Sequence, residues 1–155
     1  MGRPTRVGAP AVQDLGIHLP TPGRSRNMAA IRRRDTKPEV ELRSILHRNG
    51  HRFRKDYPVR ACGRLIRPDI VFTKHRVAVF VDGCFWHCCP EHGREPSVNI
   101  DYWSAKLSGN SERDRLQTAA LKAEGWTVLR FWEHDDARAA ALIVANAIEQ
   151  GSKTR

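Results

Sequence analysis

The sequence predicts an α/β protein in which helices flank a mixed β-sheet. Three apolar runs with strand character lie near residues 68–73, 76–82 and 126–132. Amphipathic segments with helical spacing precede, separate and follow them. The chain has 155 residues, which is enough for one domain with its own core. Together these observations predict a single layered domain.

The first helix is predicted to begin at Thr36. Residues 36–39 have the T-x-x-E form of a capping box, with Pro38 in the first turn and Glu39 packed close to the core. Apolar residues then recur at helical spacing, and Gly50 ends the helix.

The remaining elements are predicted from periodicity and turn residues. Strands are expected near 52–58, 68–73 and 76–82, and residues 73–75 join the last two as a hairpin. Helices near 101–107 and 111–124 follow, the second capped by Asn110 or Ser111, and then come a strand at 126–132 and a helix at 135–149. Leu142, Ile143 and Ile148 are expected to face inward. The order α, β, β, β, α, β, α predicts a mixed sheet and is compatible with a restriction-endonuclease-like core.

Charge and composition indicate a polyanionic partner. The net charge is +10, and residues 1–34 contribute +6 of it through seven Arg against Asp14. Residues 1–23 are rich in Pro, Gly and Arg without periodicity and are predicted to be a disordered basic tail. Residues 24–150 are predicted to be a single domain. No apolar run long enough for a membrane span and no signal-peptide core occurs, so no membrane attachment is expected. Four cysteines, three of them clustered with histidines, fit a metal site in a reducing cytoplasm better than disulfides, and a monomer is expected.

The segment 83–93, GCFWHCCPEHG, predicts a zinc site. Cys84, Cys89 and His92 are spaced C-x4-C-x2-H and can supply three corners of a tetrahedral site. His134, just after the strand 126–132, is the preferred fourth ligand. Cys88 competes for that place, although adjacent residues rarely both reach one ion, and Cys62 is a weaker candidate. The zinc would be structural and would join the loop to a strand end.

Two acidic residues predict a second, catalytic metal. Asp69 begins the strand near 68–73 and Asp82 ends the next one, so both carboxylates can reach one Mg²⁺. Such an ion would stabilise charge on a phosphodiester and help to activate water. His87 could then take the proton from that water. A zinc loop, acidic residues and a basic chain together predict a nuclease.

Aromatic residues interrupt the zinc loop. Phe85 and Trp86 either pack on the core or form a wedge that unstacks a DNA step, with Trp103 alongside. Met28, in the basic arm, could insert from the other groove.

Five segments in this order resemble the very-short-patch repair endonucleases. They are NMAAIRRRDTKPE, RPDIVF, FVDGCFWHCCPEHG, NIDYWSAKLSGNSERD and GWTVLRFWEH, and the resemblance runs from about Ser25 to His134. The resemblance implies a restriction-endonuclease-like fold with a structural zinc. It also implies an activity that nicks duplex DNA 5′ of the thymine in T·G mismatches, which arise when 5-methylcytosine is deaminated.

The resemblance also implies roles for individual residues. Asp69 matches the essential metal-binding aspartate, His87 the catalytic histidine, and Val81 a position whose backbone carbonyl contributes to the Mg²⁺ shell. Glu39 matches the acidic residue that orients the site's water or histidine. Asp82 stands where some members have His, which leaves open whether it binds metal directly or through water. The remaining matches are the zinc ligands Cys84, Cys89, His92 and His134, the intercalating Phe85, Trp86 and Trp103, and Met28 in the minor groove.

Two other functions are compatible with parts of the pattern. One is a zinc-stabilised DNA-binding module without catalysis. The other is a restriction-type nuclease of the same fold that is not directed to mismatches. A cytosine-5 DNA methyltransferase and a mismatch-repair coupling protein are the partners to be expected if mismatch repair is the function.

Overall fold

The computed structural model describes residues 35–94 and 96–153. In chain order the elements are α1 (Lys37–Arg48), β1 (Arg54–Lys55), β2 (Val59–Ala61), β3 (Arg64–Ile66), β4 (Ile70–Phe72), β5 (Val77–Asp82), α2 (Ile100–Ala123), β6 (Thr127–Trp132) and α3 (Ala137–Lys153). None of these helices combines the length and the apolar character that a bilayer crossing requires.

The main sheet is mixed, as predicted, with strand order β1-β4-β5-β6. β4 pairs antiparallel with β1 and with β5, and β6 pairs parallel with β5. The predicted hairpin at residues 73–75 is confirmed, and the His75 N–H donates to the Phe72 carbonyl at 3.2 Å. α2 forms the crossover that a parallel β5–β6 pair requires.

Two apolar clusters cover the two faces of this sheet. Val77 and Val79 pack with α1 and α3, whereas Ala78 and Phe80 pack with α2 and the β2–β3 hairpin. β5 therefore lies in the centre of a three-layer arrangement, which explains why its sequence reads as a continuous apolar run rather than an alternation.

The elements differ from the prediction at three places. The strand near 52–58 is only Arg54–Lys55, because Asp56 adopts a left-handed backbone with φ of 48°. Residues 59–66 form an unpredicted hairpin, whose turn is Cys62-Gly63 with φ of 47° and 73°. The two helices predicted near 101–107 and 111–124 form one helix, α2, which passes through Gly109 without interruption.

The inward face of α3 also differs from the prediction. Leu142 and Ile143 are 66% and 48% exposed, whereas Ile148 is buried as expected. The inward face consists mainly of small residues, namely Ala140, Ala141 and Val144. Small side chains allow α3 to approach α1 and the sheet closely, and the larger apolar residues are left on the outer side.

Candidate active site and metal centre

The candidate site lies at one end of the main sheet. β5 and β6 run parallel, so their carboxyl ends meet at one edge, where Asp82 pairs with Trp132. Ile70 pairs with Val79 in the antiparallel neighbour, which brings Asp69 to the same end. The loop 83–93 begins directly after β5, and His134 follows β6. The topology therefore brings together residues that lie far apart in sequence.

The four residues predicted to hold zinc lie together. One ligand atom from each of Cys84, Cys89, His92 and His134 falls within 4.8 Å of all the others. The Cys84 Sγ lies 3.1 Å from Nδ1 of His134, and the Cys89 Sγ lies 3.9 Å from that atom and 4.0 Å from Nδ1 of His92. These separations and the two-sulfur, two-nitrogen donor set suit a tetrahedral ion.

Backbone contacts fix the shape of this loop. The Cys89 N–H donates to the Cys84 carbonyl at 3.0 Å, and the Gly93 N–H donates to the Cys89 carbonyl at 2.7 Å. A Cβ at Gly93 would lie 2.4 Å from the Cys89 carbonyl oxygen, so glycine is required at this turn. Oε1 of Glu133 accepts a hydrogen bond from the Cys84 N–H at 2.8 Å and ties the loop to the end of β6.

The two other candidate cysteines, Cys88 and Cys62, lie outside this group. Cys88 is exposed and has a left-handed backbone with φ of 55°. Cys62 lies at the β2–β3 turn, where its N–H donates to the Glu124 carboxylate at 3.1 Å. Burial, followed by the neighbouring Cys89 and Glu133, raises the pKa of the Cys84 thiol to about 12. A bound cation is what converts such a thiol to a thiolate ligand.

Asp69 is a half-buried carboxylate among other acids. The Val81 N–H donates to its Oδ2 at 2.7 Å. The pKa of Asp69 is raised to about 7, because burial and the charges of Glu39, Asp82 and Asp56 outweigh the Val81 hydrogen bond, which lowers it. Oxygen donors with excess negative charge fit a hard divalent cation.

Glu39 is 4% exposed and lies in the first turn of α1, as predicted. Its carboxylate accepts hydrogen bonds from the Asp35 N–H and the Thr36 hydroxyl, both at 2.9 Å. Thr36 therefore donates to Glu39 and does not cap the helix with its side chain, so the reciprocal capping box that the sequence predicted does not form. Glu39 is close enough to Asp69 to raise its pKa.

His87 lies in a second group of candidate metal-binding residues, with Asp82 and Asp114. Its Nδ1 is hydrogen-bonded to Oδ2 of Asp114 and lies 3.7 Å from Oδ1 of Asp82. Burial lowers the pKa of His87, but the hydrogen bond to Asp114 and the two carboxylate charges raise it more. Burial raises the pKa of Asp114, and His87 and Arg130 lower it more. Asp114 is therefore an acceptor, Nδ1 carries the proton, and Nε2 is the nitrogen that can accept another.

Arg130 closes this second group. Its Nε and Nη2 donate to the two carboxylate oxygens of Asp82 at 2.8 and 3.0 Å. Nη2 also lies 3.1 Å from Oδ1 of Asp114. The single guanidinium charge offsets one of these two carboxylate charges and gives Asp82 a bidentate cationic partner, and Asp69 is not part of the group. Asp82 and Asp69 therefore differ in environment, and the group around Asp69 is the better candidate for a divalent cation.

The predicted aromatic residues form one half-buried cluster. Ring centroids are 5.1 Å apart for Phe85 and Trp86, 5.5 Å for Phe85 and Trp103, and 6.0 Å for the two tryptophans. The Asn110 side-chain amide donates to the Trp86 carbonyl at 3.1 Å, so Asn110 anchors the cluster rather than capping a helix. Met28 lies outside the described residues.

Comparison with known proteins identifies the family. The sequence profile of the family described as "DNA mismatch endonuclease Vsr" matches residues 18–91. The type II nicking enzyme V.NaeI of Lentzea aerocolonigenes is 54% identical over 136 residues, which cover 85% of this chain and 82% of that protein. The chain belongs to the Vsr family of DNA endonucleases.

Two further relatives are similar to most of this chain. V.XorIIP, a type II nicking enzyme of Xanthomonas oryzae pv. oryzae, is 44% identical over 112 residues, covering 68% of this chain and 76% of its own length. The DNA mismatch endonuclease Vsr of Escherichia coli K12 is 39% identical over 114 residues, covering 71% and 69%. The resemblance seen in the sequence motifs is thereby confirmed.

Two residues of this Vsr-family site were missed in the sequence. Asp114 lies in the segment SERD, four residues from both Asn110 and Thr118, and these polar residues share one face of α2. Arg130 is the charged residue in the otherwise apolar strand TVLRFW. A charged residue in a largely apolar, half-buried strand indicates an oppositely charged partner, although it does not say which one.

Proposed function

We propose that this chain is a Mg²⁺-dependent endonuclease that nicks duplex DNA on the 5′ side of the thymine in T·G mismatches. The observation that carries the proposal is the position of His87, held at Nδ1 by Asp114 and directly next to Trp86 of the aromatic cluster. A proton acceptor next to an intercalating side chain suits cleavage of the DNA backbone at a base step that has been unstacked. The name of the Escherichia coli relative supports mismatch direction. The fold is proposed to be restriction-endonuclease-like.

Each catalytic residue has a specific role in this proposal. Asp69 would hold Mg²⁺ together with the Val81 carbonyl, and the bound ion would stabilise charge on the scissile phosphate. His87 accepts a proton from the attacking water at Nε2. Asp114 keeps the ring in the tautomer that this step needs, and Glu39 contributes negative charge beside Asp69.

The Cys84, Cys89, His92 and His134 group is proposed to bind a structural Zn²⁺. The four ligands leave no open position for a reacting water, so the ion would act by joining the loop to the end of β6. This connection fixes the segment that carries Phe85, Trp86 and His87.

Cys89→Ser is therefore expected to remove zinc and lower the melting temperature, because a closed zinc site contributes folding free energy. His134→Ala should act in the same way. Cys88→Ser is the matched control, since this thiol is exposed one position away. Metal analysis and thermal unfolding measure both effects. Zinc retained in Cys89→Ser and lost in Cys88→Ser would reassign the ligand.

The aromatic cluster is proposed to select the DNA that is cut. A T·G pair stacks and pairs less well than a matched pair, so unstacking there costs less, by roughly a few kcal/mol. Phe85, Trp86 and Trp103 support one another and are held by the loop and by Asn110, so little entropy is lost on insertion. Met28 would enter from the minor groove.

Trp86→Ala should weaken binding to a T·G duplex much more than binding to a matched duplex. General affinity, which depends on phosphate contacts, should remain and should fall with salt on both duplexes. Titrations with both duplexes at two salt concentrations measure this difference. An equal loss on both duplexes would mean that Trp86 only packs in the cluster.

A site-specific nicking enzyme that is not directed to mismatches is the second candidate, because the relatives V.NaeI and V.XorIIP are named type II nicking enzymes. Nicking of matched and T·G duplexes in varied sequence contexts, with the product ends mapped, distinguishes the two. Mismatch-dependent nicking 5′ of the thymine supports the first candidate. Equal nicking of matched duplex at a fixed sequence supports the second.

The proposed function also carries expectations about oligomeric state, location and functional partners. We propose a monomer acting in the cytoplasm, with residues 1–23 as a basic tail and 24–150 as the nuclease domain. The methyltransferase whose product deaminates, and a mismatch-repair coupling protein, are its proposed functional partners.

A further inference from the structure

Arg130 occupies the centre of a polar network between β5, β6 and α2. Two of its N–H groups bind the two Asp82 oxygens. Nη1 donates to the Asp114 carbonyl at 3.3 Å and to the Thr118 hydroxyl at 3.1 Å, and Nη2 contacts Oδ1 of Asp114 at 3.1 Å. The guanidinium plane also lies 4.4 Å from the Phe80 ring centroid.

These contacts use the whole guanidinium. Four of its five N–H groups donate hydrogen bonds, and Nη2 adds an ion-pair contact to Asp114. Arg130 is thus unsuited to binding a DNA phosphate unless the network is broken. Phe80 packs against one face of the guanidinium, and hydrogen bonds along its edge hold it to Asp114 and Thr118, which are one turn apart on α2.

The network leads directly to His87. Arg130 contacts one oxygen of Asp114, Oδ1, and His87 binds the other, Oδ2. The Asp114 carboxylate is therefore held at both oxygens, and the plane of that carboxylate sets the plane of the imidazole. Without the guanidinium, the Asp82 and Asp114 carboxylates would share only the imidazole of His87 as a partner, and the hold on Oδ1 of Asp114 would be lost.

We propose that Arg130 is a positioning residue that acts through Asp114 to orient His87 and that commits Asp82 to the ion pair rather than to the metal. This rests on the catalytic role proposed for His87. Mutation of a residue that orients a functional side chain without touching the substrate commonly lowers activity by about 10- to 100-fold. The competing explanations are an ion pair that serves only folding, a phosphate contact, and an Asp82 that binds metal.

Arg130→Lys separates geometry from charge. Lysine retains the positive charge, so the buried carboxylates keep a partner, but one ammonium cannot replace a planar fork that spans Asp82, Asp114 and Thr118. The single-turnover nicking rate should fall about 10- to 100-fold, with the Kd for duplex DNA unchanged. Arg115→Lys, on the exposed side of α2, is the matched control and should nick at the wild-type rate.

The decisive measurement repeats this substitution in a His87→Ala background. If Arg130 acts through His87, Arg130→Lys should then change the residual rate by less than about twofold, the scatter of additive effects. A full loss in that background would overturn the proposal, as would a wild-type rate with a lower melting temperature, or a weakened Kd that accounts for the loss. His87→Ala nicking at the wild-type rate would instead overturn the proposed role of His87 itself.

The commitment of Asp82 has its own readout. Asp82→Asn should lower the rate while leaving the Mg²⁺ concentration for half-maximal nicking within about twofold of wild type. A tenfold rise in that concentration would show that Asp82 binds the metal and would overturn this part of the proposal.

Discussion

Asp69→Asn is expected to abolish nicking of a T·G duplex while binding to that duplex stays close to wild type. The substitution keeps the shape of the side chain and removes the charge that would hold Mg²⁺. The amide oxygen can still accept the Val81 N–H that Asp69 accepts at 2.7 Å. The backbone at the end of β5 should therefore keep its position.

The stability of this variant should not fall. Burial and the charges of Glu39, Asp82 and Asp56 make the ionised form of Asp69 unfavourable. An uncharged amide at this position therefore removes electrostatic repulsion. A melting temperature at or above that of wild type would show that lost nicking is not lost folding. Asp56→Asn is the matched control, because it removes a neighbouring charge without touching the proposed ligands, and asparagine tolerates its left-handed backbone. Cleavage by Asp69→Asn at a near wild-type rate would refute the metal assignment.

The sequence predicted those parts of the fold that local pattern determines. The β4–β5 hairpin follows from two apolar runs joined by three turn residues, and the parallel β6 follows from an intervening helix long enough for a crossover. The continuity of α2 was not predictable in the same way. Gly109 and Asn110 signal a break locally, but Asn110 is held by the Trp86 carbonyl, a contact with a residue 24 positions away. Tertiary contacts here override the local signal.

The candidate site shows the same division. The grouping of Cys84, Cys89 and His92 was predictable because one short loop carries all three, and His134 could be inferred from its place after a strand. Asp114 and Arg130 were not, because their partners His87 and Asp82 are 27 and 48 positions away. Only the parallel register of β5 and β6, and the way α2 crosses them, brings these charges into contact.

His87→Ala is expected to lower the nicking rate by roughly 10²- to 10⁴-fold, the usual range for a general base. The reason is geometric as well as chemical. Nδ1 is engaged by Asp114, so Nε2 is the nitrogen that can accept the proton of the attacking water. The remaining activity would come from the proposed metal and from the opened DNA step, which the substitution leaves in place. DNA binding should change little, because the aromatic cluster and the phosphate contacts do not depend on the imidazole.

Zinc content and folding decide how this result is interpreted. His87 lies outside the Cys84, Cys89, His92 and His134 group, so His87→Ala should retain one zinc per chain and melt near the wild-type temperature. His47→Ala, an exposed histidine in the last turn of α1, is the matched control and should nick normally. An unfolded, zinc-free His87→Ala would assign this histidine to the zinc site. The imidazole would then have a structural role, and the proton acceptor would have to be sought among the acids around Asp69.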